Sequence, residues 1–234
     1  MLADDLSRIR LNGRNAAEPQ GVTVWVMTQP ALDRDQLDAA ARILAGRDPD
    51  LAGIIERLGP PPLWDRKPGF ATLIAIVLEQ QVSLQSGAAA LERLRRAAGS
   101  LEPEAIVELG EAGARSAGLT RQKARYVVAL AEATLDGRFD PTRIAAASDD
   151  EARTQLISLL GIGGWTADIY LLMALGRPDI WPDGDLALAT AMRRAKGLPA
   201  LPDRAAQRAL AEGWRPWRAV AARLLWHAYL AGER

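Results

Sequence analysis

The sequence predicts an all-α fold. Three observations carry this. Apolar residues recur at helical spacing from Ala31 onward, strand-type alternation is essentially absent after residue 30, and capping residues precede several of the periodic stretches. Asp33 fits as the cap of a helix over 34–45. A helix over 50–58 ends at Gly59 and a triple proline, which cannot continue it. Helices over 70–80 and 83–98 flank a Gln-Gln-Val link, and Thr120 caps a helix running to 136. Ser148-Asp149-Asp150-Glu151 is a capping box opening a helix to Leu159. Helices over 165–175, 185–196, 203–211 and 216–230 complete the chain. Residues 1–30 stand apart as a leader, poorly ordered or containing a short strand at Val22-Thr23-Val24-Trp25-Val26, with Met27 as an alternative true start.

With 49% hydrophobic and 25% charged residues, the composition is that of an ordinary soluble globular protein, and 234 residues can bury a sizeable core. No apolar run approaches the ~20 residues of a membrane span, and the first ten residues lack the apolar centre of a signal peptide. A cytoplasmic location is expected, nucleoid-associated if bacterial, and a monomer is the expected state. The chain has no cysteine, which excludes disulfides, thiolate zinc sites and a cysteine-held iron–sulfur cluster. Its 29 basic and 29 acidic residues cancel, so net charge does not advertise a nucleic-acid partner. Basic residues do cluster, at Arg93-Arg95-Arg96, Arg121-Lys123-Arg125, Arg193-Arg194-Lys196 and Arg215-Arg218-Arg223, a pattern that solvated helix faces also produce.

The most informative segment is Leu159-Leu160-Gly161-Ile162-Gly163-Gly164-Trp165-Thr166-Ala167-Asp168. It reads as helix, tight glycine hairpin, helix. The glycines permit a sharp turn and leave N–H groups uncovered beside a helix N-terminus, which is a ready anion site. Downstream, Trp181-Pro182-Asp183-Gly184-Asp185-Leu186 sets one carboxylate, Asp185, at the start of the next helix. An aspartate at a helix start is ordinarily just a cap. A phosphate grip beside a fixed carboxylate also suits a hydrolase acting on nucleic acid.

These segments resemble the helix-hairpin-helix DNA glycosylases, and among them the 3-methyladenine DNA glycosylase II (AlkA-like) family. Phe70 to Ser83 is similar to the family's early helix and wedge loop, Ala117 to Tyr126 to its middle segment, and Trp214-Arg215-Pro216-Trp217-Arg218 with Leu224-Leu225-Trp226 to its C-terminal helix. The resemblance implies two helical lobes around a DNA-binding cleft, one of about 66–178 and the other of about 31–65 plus 179–234. It implies double-stranded DNA carrying a damaged base as partner, and base excision repair as the process. The expected reaction is N-glycosidic hydrolysis releasing alkylated bases of the 3-methyladenine and 7-methylguanine type. A carboxylate would stabilise the oxocarbenium-like transition state or activate water, and Asp185 takes that catalytic role. Asp183 is read as loop or support.

Trp165 stands where bifunctional relatives hold a lysine, and an indole cannot form a Schiff base; the resemblance therefore implies no lyase activity. Trp165, Trp217, Trp181 and Ile169 are the expected base pocket, since an indole face attracts a cationic base. Gly161, Gly163, Gly164 and Thr166 are expected to bind DNA backbone, with Gln80 and Gln81 in the wedge loop and Arg218 on a phosphate. No cofactor is required. A structural Na or K ion on the carbonyls of Ile157, Leu159 and Ile162 is the one metal the resemblance implies. The chain departs from the family's pattern at the wedge, where Gln81 replaces a leucine, and at Ile169-Tyr170, where an aromatic pocket residue can stand. A glycosylase for deaminated or mismatched bases and a non-catalytic DNA-binding module remain alternatives. The family often carries a β-rich N-terminal domain, for which residues 1–30 leave no room.

Overall fold

The structure, a computed structural model, describes residues 31–232, so the leader and its strand lie outside the described residues. Among the described residues the chain is all-helical. The helices are α1 (Arg34–Arg47), α2 (Pro49–Leu58), α3 (Phe70–Glu79), α4 (Leu84–Ala98), α5 (Pro103–Ser116), α6 (Arg121–Leu135), α7 (Pro141–Ala146), α8 (Asp149–Ile157), α9 (Gly164–Ile169), α10 (Leu186–Ala195), α11 (Arg204–Glu212) and α12 (Arg218–Leu230). Local chemistry sets most starts. Asp33 and Ser148 close capping boxes with Gln36 and Glu151, and Ser83, Thr120, Asp185 and Asp203 each accept from the third helical N–H.

Three elements differ from the sequence expectation. The helix α5 was not expected, because Gly110 (φ 65°) breaks it and no side chain caps it, so no apolar stripe runs through. The six-residue α7 is too short to show a period. The helix expected over 165–175 changes character partway: after α9 the chain continues as a π-helical turn, Tyr170–Ala174. Its carbonyls are drawn outward, Leu172 to the Arg223 guanidinium at 2.9 Å and Met173 to the Arg66 N–H at 2.9 Å.

The helices pack in two groups. α1, α2, α10, α11 and α12 pack on one another, and α3 to α9 form the second group. The connections are held by buried polar contacts. Leu32 N–H donates to the Gly176 carbonyl at 2.9 Å, and Ala219 N–H to Pro178 at 3.0 Å. Arg223, 1% exposed, reaches the Leu63 carbonyl at 2.8 Å, Leu172 at 2.9 Å and Ala219 at 3.3 Å. Burial pushes its pKa down to about 10. One side chain thus ties α12, the π-helical turn and the linker before α3 together. In the first group, Asp48 caps α2 and accepts from Lys196 Nζ at 2.6 Å and Trp214 Nε1 at 2.7 Å.

Candidate active site

The hairpin joins α8 to α9. Gly161 adopts φ 86°, and a Cβ there would collide with the Tyr126 ring, so only glycine fits. Gly163 is different. It is the exposed cap of α9 with φ −91°, and a Cβ there would meet open space. The opening N–H groups of α9 follow it, at Gly164, Trp165 and Thr166, and the first N–H groups of a helix have no intrahelical acceptor. Thr166 is 2% exposed and its hydroxyl accepts from Gln80 Nε2 at 2.7 Å. Gln80 Nε2 also donates to the Gly161 carbonyl at 3.1 Å. The side chains of Thr166 and Gln80 therefore brace the hairpin from within. Gln81, next along, is exposed with φ 57° at the tip of the α3–α4 loop.

Asp185 caps α10 across from the hairpin. Its Oδ1 accepts from the Leu188 N–H at 2.8 Å and from Trp226 Nε1 at 3.4 Å, and its Oδ2 accepts from Trp165 Nε1 at 2.8 Å. The carboxylate stays partly exposed. Asp168 positions the loop that presents it. Asp168 is 3% exposed, is bound by Arg153 at 2.7 Å and takes an N–H bond from Asp183. Burial raises its pKa in spite of the Arg153 guanidinium. Asp183 is paired with Arg208 at 2.9 Å.

The expected pocket residues are placed unequally. Trp165 is half-buried and touches Asp185. Trp217 does not lie within a helix beginning at 216; it occupies the cap position of α12 and packs against the core. The indole that reaches Asp185 from the C-terminal segment is Trp226, itself a core residue at 8% exposure. Ile169 and Tyr170 are 3% and 0% exposed and belong to the core, where the Tyr170 hydroxyl accepts the Gly69 N–H at 2.9 Å. Trp181 packs on Trp214 with ring centroids 5.6 Å apart. It borders a polar groove of about 610 Å³ that does not include Asp185.

The groove's arginines pair with its carboxylates, Arg218 among them. The Arg218 guanidinium is held by Asp179, with Nε to Oδ1 at 2.8 Å and a nitrogen to the main-chain oxygen at 2.7 Å. Arg215 shares the same carboxylate at 2.7 Å. Of the carbonyl set, Leu159 accepts the Ile162 N–H at 3.2 Å, and Ile157 ends α8, where carbonyls lie beyond the helical ladder.

A helix–glycine hairpin–helix unit with one braced carboxylate opposite it, on two packed helical groups, defines the helix-hairpin-helix glycosylase class of fold. The chain belongs to the HhH-GPD superfamily of base excision DNA repair proteins, whose family model matches residues 74–216. A Bacillus subtilis relative, provisionally named a DNA-3-methyladenine glycosylase, is 26% identical over 76% of this chain and 65% of its own length. A Mycobacterium tuberculosis relative, provisionally named a bifunctional transcriptional activator and DNA repair enzyme AlkA, is 31% identical over 82% of this chain. The chain spans only 43% of that protein. The solved Schizosaccharomyces pombe 3-methyladenine DNA glycosylase Mag1, in complex with abasic DNA, superposes with a TM-score of 0.75 at 27% identity, covering 80% of this chain and 95% of that one. No described helix is long and apolar enough to cross a membrane.

Proposed function

We propose that this chain is a monofunctional DNA glycosylase that hydrolyses the N-glycosidic bond of alkylated purines in double-stranded DNA. The observation that carries the reading is the Asp185 carboxylate, fixed by Trp165 and Leu188 at the mouth of a family-typical hairpin. The names of the relatives supply the alkylated-base class. The backbone at Gly163 and Gly164 grips a phosphate, and Gln81 fills the gap left by the flipped nucleotide. As the bond to the base breaks, positive charge grows on the sugar, and Asp185 stabilises it. Water then attacks the sugar carbon and gives its proton toward Asp185. An alkylated purine already carries positive charge, so it leaves as a neutral base without a proton donor. Trp165, the half-buried indole beside the carboxylate, offers a ring face to a cationic base.

Trp165 also bears on the second half-reaction. An indole at this place cannot attack the sugar, and its N–H is already engaged by Asp185. Water is then the nucleophile, and the product is an abasic site in an uncut strand. A monovalent cation on the carbonyls of Ile157, Leu159 and Ile162, as the family resemblance implies, would add positive charge at the phosphate grip. The protein is read as a cytoplasmic monomer. A panel of duplexes, each with one defined lesion, tests the reading. Release of 3-methyladenine or 7-methylguanine with no adduct trapped by borohydride is expected. Trapping of a covalent adduct, or release confined to deaminated or mismatched bases, would refute it.

A further inference from the structure

Gln81 occupies the left-handed region, φ 57°, which a non-glycine residue holds only when its surroundings enforce it. The enforcing group is on another helix. Lys123, in the first turn of α6, donates from Nζ to the Leu78 carbonyl at 2.7 Å and to the Gln80 carbonyl at 3.1 Å. Both acceptors lie where α3 runs out, beyond the reach of further helical N–H groups. The ammonium faces carbonyls in a half-buried place, and burial holds its pKa below that of an ordinary lysine. The Gln80 side chain, meanwhile, is tied to the hairpin through the Gly161 carbonyl and the Thr166 hydroxyl. The residue before Gln81 is thus held at its main chain by α6 and at its side chain by the hairpin.

We infer that Lys123 is a positioning residue for base eversion, locking Gln81 in its left-handed conformation and joining the wedge loop and the hairpin into one rigid unit. The inference rests on the glycosylase reading above. The wedge must enter the base stack while the hairpin holds the backbone, so the two need a fixed relation. A loop ordered in advance avoids the entropy loss that a mobile one would suffer on insertion. Loss of the ammonium would leave the two terminal carbonyls of α3 without it and free Gln81 to relax to an ordinary backbone conformation.

The test compares Lys123→Met, which keeps the stem and removes the donors, with Lys123→Arg, which keeps donors and charge. The substrates are a 7-methylguanine duplex, the same lesion looped out in a bulge where eversion has already occurred, and an abasic-analogue duplex with 2-aminopurine opposite the gap. Lys123→Met should slow single-turnover release from the paired duplex by roughly 10- to 100-fold, the usual loss for a charged hydrogen bond. It should leave release from the bulge at the wild-type rate and abolish the rise in 2-aminopurine fluorescence; Lys123→Arg should restore both. Equal losses on duplex and bulge, or an undiminished fluorescence rise, would overturn the assignment. The fluorescence arm needs no chemistry, so a wild-type protein that brightens 2-aminopurine but releases no base refutes the glycosylase reading alone. A wild-type protein that causes no brightening refutes the wedge itself. If melting shows Lys123→Met to be unfolded, Lys123→Gln, with a donor but no charge, carries the same comparison.

Discussion

The Asp185 carboxylate meets donors on both oxygens, and this decides what its replacement does. An amide offers one acceptor where N–H groups face two, so Asp185→Asn removes the charge and also mispairs Trp165 or Leu188. Single-turnover base release should fall by about 10²–10³-fold while duplex binding persists. The two indoles rank by distance. Trp165→Phe deletes a 2.8 Å bond and should cost roughly tenfold in rate, whereas Trp226→Phe deletes a 3.4 Å bond and should cost less. The reverse order in measured rates would mean that Trp226 is the main orienting group. At this scale the sequence was partly legible. The cap position of Asp185 on α10 was legible from its place at the start of an apolar-periodic helix. The bond from Trp226, a core residue, was not, because its approach depends on how α12 is turned, and no local pattern carries that. The ion pair of Arg218 was hidden for a related reason: its partner Asp179 lies far back along the chain, and only the fold brings the two together.

The hairpin separates two glycines that the sequence presents as equivalent. Gly161→Ala places a Cβ against Tyr126 at a left-handed backbone position, and thermal melting should show a loss of about 1–3 kcal/mol. Gly163→Glu should leave melting unchanged, since the site is open and its φ is ordinary. The added carboxylate would repel the phosphate, so affinity for damaged and undamaged duplex should fall together. Selective loss of damaged DNA alone would put Gly163 in the base pocket. Most helices were legible because caps and apolar period agreed on them. α5 was hidden by Gly110, α7 by its length, and the π-helical turn by its cause: the pull comes from Arg223 and Arg66, outside the local sequence.

Across the whole molecule, buried charges hold the helical groups. Arg223→Met should lower stability by about 1–3 kcal/mol, because the Leu63 and Leu172 carbonyls would be left without a donor. Asp48 sets part of the acid limit. Burial pushes its pKa up, but Lys196 and Trp214 together hold it below the usual carboxylate value. A folded pKa below the unfolded one stabilises above the unfolded value, and that contribution is lost as pH falls through the folded one. Asp48→Asn should therefore flatten the acid limb of a stability–pH curve measured by denaturant unfolding, with little change in slope near neutrality. The polar groove has a consequence for searching DNA. Arg218 and Arg215 are paired with Asp179 and Glu212, and Arg153 with Asp168, while total charge is zero. The groove would then neutralise few phosphates, and each one neutralised releases about 0.9 of a counterion from duplex DNA. The logarithm of its affinity should decline gently with the logarithm of salt concentration. Residence on undamaged DNA would then be brief, with lesions sampled by frequent departure and return in place of long sliding along the duplex.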